Sequence, residues 1–138
     1  MKKDLPKLAK LYKQFWNEES NIEIMSIQFE KIKKLETHVI LGAYEGEVLI
    51  GSVMGIICDE LYGTCRPFMV IENMIVVKSN RKSGIGRDLI NEIEKIAVLK
   101  NCSQIILVTE TNRNDACRFY EKMGYLPEIQ KEYKKKLN

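Results

Sequence analysis

The chain has 138 residues, 45% of them hydrophobic and 30% charged, which is ordinary globular usage with enough length for a real core; disordered and fibrous classes are excluded. A net charge of +3, dispersed along the chain, gives no basis for a nucleic-acid partner. No apolar run reaches the roughly 20 residues of a membrane span, and the basic start Met1-Lys2-Lys3 is followed by no apolar leader. The four cysteines form no C-x-x-C pair and have one histidine to join them, so reduced thiols and no metal site are expected. These priors describe one domain over residues 1–138, in the cytoplasm, with no membrane partner.

In chain order, Asp4-Leu5-Pro6 opens a helix whose apolar stripe is Leu8, Leu11, Tyr12, Phe15 and Trp16, read as a core-facing stripe rather than a ligand wall. A polar turn over Asn17–Asn21 leads to a second helix from about Met25 to Leu35. From Thr37 the pattern turns to β. Thr37–Tyr44 and Val48–Cys58, joined at Glu45-Gly46-Glu47, predict a hairpin. His38 lies at a strand end and is read as structural, because no carboxylate or nucleophile accompanies it. A turn-rich loop over Asp59–Pro67 precedes the almost wholly apolar strand Phe68–Val77, interrupted by Glu72. Ile85, Leu89, Ile93 and Ile96/Ala97 then recur at helical spacing up to Lys100. Gln104–Glu110 predicts a further strand, and Asn114 and Gly124 bound a short last helix. The segment from Ile129 to Leu137 alternates weakly, and its lysines suit an exposed edge strand.

Between the apolar strand and the third helix stands Arg81-Lys82-Ser83-Gly84-Ile85-Gly86, followed by Arg87. Its glycines let the backbone turn tightly, and the helix that follows offers unpaired N–H groups, an arrangement suited to a phosphate or pyrophosphate. A Walker loop would need Lys-Ser/Thr after the last glycine, where this chain has Arg87-Asp88; a dinucleotide fingerprint would need a small residue at Leu89. What remains is the pattern Arg/Gln-x-x-Gly-x-Gly/Ala. Downstream, Asn114-Asp115-Ala116-Cys117-Arg118-Phe119-Tyr120-Glu121-Lys122-Met123-Gly124-Tyr125 forms a second block. Together the two blocks resemble the GNAT superfamily of N-acetyltransferases, closely over about residues 37–138 and loosely before that.

The resemblance implies an α/β fold: a mixed, mostly antiparallel sheet with a splayed parallel strand pair and about four flanking helices. With only Met1-Lys2-Lys3 ahead of the first helix, the family's first strand is absent or vestigial. The strand from Thr37 is then an edge, free to stay open, to be covered, or to pair in a homodimer. The implied reaction is direct acetyl transfer from acetyl-CoA to a primary amine, most simply that of a small molecule. A protein or peptide amine, or a non-catalytic acyl-CoA sensor, are the alternatives. Arg81, Lys82, Ser83, Gly84, Ile85, Gly86 and Arg87 would hold the pyrophosphate. The exposed edge of Met74, Ile75, Val76 and Val77 would pair with the peptide-like arm of the cofactor, which Asn114 would also bond.

An amine with a pKa near about 10 is almost fully protonated at neutral pH, so a base or a water relay must take its proton. Glu72 is the candidate, as a carboxylate in an apolar strand that burial would not tolerate without a task. Tyr120 matches the family position that donates a proton to the departing sulfur.

Overall fold

The computed structural model describes residues 2–81, 83–128 and 130–138. Two units pack internally, Met1–Leu107 and Val108–Asn138.

The first unit opens with a 3-10 turn, Lys2–Asp4, that runs into α1 (Leu5–Trp16), with Pro6 in its first turn. Leu5, Leu8 and Leu11 fall on one side of α1 at helical spacing and bury themselves against Leu49 and Ile75 of the sheet. Phe15 joins this cluster from its rim, whereas Trp16 is 44% exposed, so only part of the aromatic stripe is core. Helix α2 (Ile22–Leu35) begins three residues before the expected Met25. The Asn21 side chain accepts from the Ile24 N–H at 3.0 Å and so satisfies one of the free donors of the first turn.

The sheet has the order β1-β2-β3-β4, with β1 at His38–Glu45, β2 at Val48–Cys58, β3 at Phe68–Val76 and β4 at Ile105–Leu107. The first three strands form an antiparallel meander, and β4 joins β3 in parallel after the crossover helix α3 (Ile85–Leu99). The sheet is therefore mixed and mostly antiparallel with one parallel pair. Among the described residues no strand precedes α1, and β1 is an edge. Leu89, Ile90, Ile93 and Ala97 form the buried stripe of α3, and Ile93 and Met69 meet beside Gly55 to fill the space under that helix.

Two expected strands differ from the structure. The strand expected over Gln104–Glu110 spans three residues, and its ladder to β3 stops at Ile71–Leu107, one residue before β3 departs from regular pairing. Residues 130–138 carry no strand at all. Lys131, Lys134, Lys135 and Lys136 crowd that segment with like charge, and Tyr133 and Leu137 are exposed, so no apolar face exists to hold it against a sheet.

In the second unit α4 (Asn114–Lys122) ends in a Schellman arrangement: Tyr125 N–H donates to the Tyr120 carbonyl and Gly124 N–H to the Glu121 carbonyl, both at 3.0 Å, with Gly124 at φ +91°. Arg113 rather than Asn114 occupies the position before the first turn; Asn114 is itself the first helical residue.

Candidate active site

Strand β3 changes character halfway along. From Phe68 to Glu72 it pairs with β2 in regular register, but between Glu72 and Ile75 it carries one residue more than β2, because Met54 faces Glu72 while Ser52 faces Ile75. This is a β-bulge, and Asn73 sits in it at φ +53°, a left-handed conformation that few residues other than glycine adopt without support. Pairing with β2 resumes up to Val76–Gly51, yet among the described residues no strand pairs with β3 on its other side beyond Ile71. The backbone from Glu72 to Val76 is thus one-sided, with Met74, Ile75 and Val76 along it and Val77 at its end. Val77 N–H donates to the Ile50 carbonyl at 2.8 Å. In a planar trans peptide the Val76 carbonyl then points the opposite way, toward the open edge, where it accepts from Arg81 Nε at 3.1 Å.

The loop expected to hold an anion follows directly. Lys82 lies outside the described residues. A 3-10 turn, Lys78–Asn80, is fastened at its far side by the Ser83 hydroxyl, which donates to the Asn80 carbonyl, and by Asn80 Nδ2, which donates to Glu45 Oε2 at 3.3 Å. Gly84 is the residue before α3 and stands at φ +88°, and no side chain caps the helix. The first backbone N–H bonded within the helix is that of Asp88, to Gly84 at 3.0 Å, and among the described residues the N–H groups of Ile85, Gly86 and Arg87 remain as donors at the positive end of the helix dipole. Arg87 folds back over this end; a Cβ on Gly84 would lie 3.2 Å from its guanidinium. Backbone donors, a helix dipole and two arginines next to a one-sided strand edge fit a pyrophosphate with a peptide-like tail.

Glu72 is exposed, in contrast to the expectation of a buried carboxylate. The register shows why: Met54 and Ser52 are two residues apart on β2, so their partners Glu72 and Ile75 share one face of the sheet, the face that α1 covers at Ile75 and leaves open at Glu72. Among the described residues no cation pairs with it.

Two residues, Tyr12 and Asn73, have no site role in the sequence reading. Tyr12, on α1, is partly buried against the cluster of Leu8, Leu11 and Ile75; burial pushes its phenol above the ordinary 10.0, and the Asn73 side chain draws it part of the way back. The signal was the Glu72-Asn73 pair itself, since asparagine is the non-glycine residue that most readily accepts a positive φ.

In the second unit, Asn114 is exposed at the start of α4, and Tyr120 is half-buried on the same helix. The Tyr120 ring stands edge-on to Phe119 at 5.3 Å and to Tyr125 at 6.2 Å. Burial pushes its phenol above the ordinary 10.0, only partly opposed by the Arg113 charge, so the hydroxyl keeps its proton at neutral pH and remains a donor. Among the described residues no group of three or more histidine, cysteine or acidic side chains could hold a metal ion, and no helix is long and apolar enough to cross a membrane.

The chain belongs to the acetyltransferase (GNAT) family, whose model matches residues 5–125. It is 31% identical over 84 residues to the streptothricin acetyltransferase of Escherichia coli; that stretch is 61% of this chain and 45% of the relative, so the chain spans under half the relative's length. In fold it is similar to a putative acetyltransferase from Agrobacterium tumefaciens str. C58, with a TM-score of 0.90 at 22% identity over 99% of this chain and 96% of the other. The glucosamine-6-phosphate N-acetyltransferase of Arabidopsis thaliana superposes with a TM-score of 0.87 at 21% identity, covering 98% and 93%.

Proposed function

We propose that this chain transfers an acetyl group from acetyl-CoA directly to a primary amine of a small molecule. The observation that carries the reading is the one-sided edge of β3 running into the uncapped start of α3, in a chain that belongs to an acetyltransferase family. The N–H groups of Ile85, Gly86 and Arg87, with the Arg81 and Arg87 guanidinium groups, take the pyrophosphate; Lys82, Ser83 and Gly84 complete that loop. Met74, Ile75, Val76 and Val77 offer their free edge to the pantetheine arm, and Asn114 adds a side-chain amide. Acetyl-CoA supplies an acetyl group already activated as a thioester. Glu72, exposed and unpaired among the described residues, takes the proton of the incoming ammonium directly or through water. Tyr120, held neutral by burial, gives a proton or a hydrogen bond to the departing sulfur. A small-molecule acceptor is supported by the names of the streptothricin and glucosamine-6-phosphate relatives.

The test is thiol release from acetyl-CoA against a panel of amino sugars, aminoglycosides, polyamines and peptides, in the parent and in Tyr120→Phe. Release with a small amine, reduced about ten- to a thousandfold in Tyr120→Phe at unchanged acetyl-CoA affinity, is the expected pattern of a contact made mainly in the transition state. Acetyl-CoA binding without release on any amine would return the chain to the sensor reading. Parental turnover in Tyr120→Phe would return that phenol to packing.

A further inference from the structure

Strand β1 and helix α2 leave one side of the first unit unfinished. Among the described residues β1 has a strand partner on one side only, β2. Ile57 N–H donates to the Thr37 carbonyl at 2.7 Å, and the next pair of the register is His38–Ile56. In an antiparallel ladder, pairs that exchange hydrogen bonds alternate with pairs that do not. Val39 and Leu41 therefore turn their backbone groups to β2, and those of His38, Ile40 and Gly42 point outward. The regular stretch ends there, because the register shifts between Ala43 and Tyr44. Natural edges often carry lysine, proline or inward charge against further pairing; between His38 and Glu45 this one has no charged residue and no proline.

Helix α2 lies over β1 and beside α1, which lies over β2 and β3. Met25 and Phe29 pack into the cluster beneath α2, and Glu30 meets Lys2, just ahead of α1, at 3.8 Å. At about 100° per residue, the flank turned away from α1 and out over the free edge is that of Ile24, Gln28 and Leu35. Ile24 is 64% exposed and Leu35 56%. The midpoint of these two lies about 10 Å back along α2 from Glu36, and Ile40 lies about 10 Å forward along β1 from Thr37. The centre of the apolar flank thus stands over Ile40, which is also the middle of the regular stretch His38–Gly42.

We propose that this side is an interface with a second copy of the same chain: two β1 strands pair antiparallel about a two-fold axis at Ile40, and the two α2 helices lie antiparallel beside it. His38 then faces Gly42 of the second copy, Ile40 faces its own counterpart, and the outward N–H and C=O groups of these residues are all satisfied. Ile24 meets Leu35 of the second copy. The acidic first turn of α2, with Glu23, comes beside the basic last turn of the other helix, with Lys33 and Lys34, and the two helix dipoles are opposed. An unrelated strand would satisfy the backbone of β1 but bring no apolar flank for α2. The proposal is independent of the acetyl-transfer reading, since β2 separates this edge from β3.

Light scattering up to about 0.1 mM and amide exchange by NMR test it on the full chain. Expected is a particle of twice the 16.0 kDa chain. In the dimer, exchange at His38, Ile40 and Gly42 should be slowed at least about tenfold relative to the dilute monomer, while Val39 and Leu41 exchange slowly in both. Ile24→Asp and Leu35→Lys should each raise the dissociation constant at least about a hundredfold. Each adds a charge that suits its own end of α2, so the helix itself is not weakened. The double variant should regain the parental constant to within about tenfold, because the two positions are about 16 Å apart along one helix and meet only across antiparallel copies. A monomeric parent overturns the proposal, whether its edge amides exchange freely or are protected by another segment. A dimer whose edge amides exchange as in the monomer, or whose double variant is as weak as either single one, is built on a different surface and overturns it as well.

Discussion

The lower and upper halves of β3 are made from similar residues and do opposite things. Met69, Val70 and Ile71 are bonded on both sides, to β2 and to β4, and Met69 and Ile71 lie under α3 at 0% and 4% exposure. Among the described residues, Glu72 to Val76 have a strand partner on one side only, start with an exposed carboxylate and contain a left-handed asparagine. Apolar content does not separate them, since Met74, Ile75 and Val76 are as hydrophobic as their neighbours. What separates them is one extra residue. A strand with every backbone group satisfied is a wall, and a strand released on one flank is a set of donors and acceptors in fixed positions, which is the resource a peptide-like ligand needs.

The comparison breaks most clearly at Met69. Met69→Ala should cost about 2–5 kcal/mol in denaturant unfolding through the cavity left under α3, while the acetyl-CoA affinity of the folded fraction stays the same. A shift in affinity would show that the two halves are not independent.

Glu72→Gln tests the other half. It should lower turnover by about ten- to a hundredfold near pH 7, with a difference that narrows as the pH approaches the amine's own value near about 10, and should leave stability within about 0.5 kcal/mol because the side chain is exposed. Parallel pH–rate profiles for variant and parent would assign the proton to solvent.

Gly84→Ala and Gly124→Ala sharpen the boundary of the site. Both glycines have positive φ, +88° and +91°, so each substitution should cost on the order of 1 kcal/mol in stability. A Cβ at Gly84 also meets Arg87 at 3.2 Å, whereas among the described residues a Cβ at Gly124 meets nothing within 4 Å. Calorimetry should therefore find acetyl-CoA affinity lowered about tenfold in the first alone. Equal affinities would remove Gly84 from the cradle.

The smallest effect is alkaline. Tyr12 and Tyr120 have folded-state pKa values raised above the ordinary 10.0, so their contribution to stability is complete below about pH 10 and is lost as the pH climbs through the raised values, when the unfolded phenols ionise first. Tyr12→Phe should make the fall in stability above that pH shallower. An unchanged slope would mean that Tyr12 ionises as freely in the folded protein as out of it.

Much of this architecture was legible in the chain. Periodicity located α1, α3, β2 and β3 to within a residue or two, because each buries a continuous apolar stripe, and the glycines around Ile85 marked the start of α3. Asn73 was harder. A bulge is a relation between two strands, and only the offset of Met54–Glu72 against Ser52–Ile75 reveals it. The influence of Asn73 on the Tyr12 phenol likewise links residues 61 positions apart, for which no local pattern exists. The exposure of Glu72 was misjudged because an apolar run suggests a strand covered on both faces, and α1 covers only one end of this one. The last segment failed as a strand for a plainer reason: alternation without buried partners has nothing to hold it.

The connectivity of the sheet sets an order of assembly. The contacts of β1, β2 and β3 are between consecutive segments joined by short turns or one loop, whereas the ladder of β4 must close a loop from Met69 to Ile105 and offers only three residue pairs in return. Loop closure precedes the contacts that reward it, so the meander forms early and the parallel strand arrives late. During synthesis, the loop ahead of α3 leaves the ribosome before β4. The unfinished chain therefore carries the whole of β3, seven of whose nine residues are apolar, as a bare edge. The interval before β4 docks is the time when association between chains competes with folding. A protein of this design is most exposed to aggregation while it is being made.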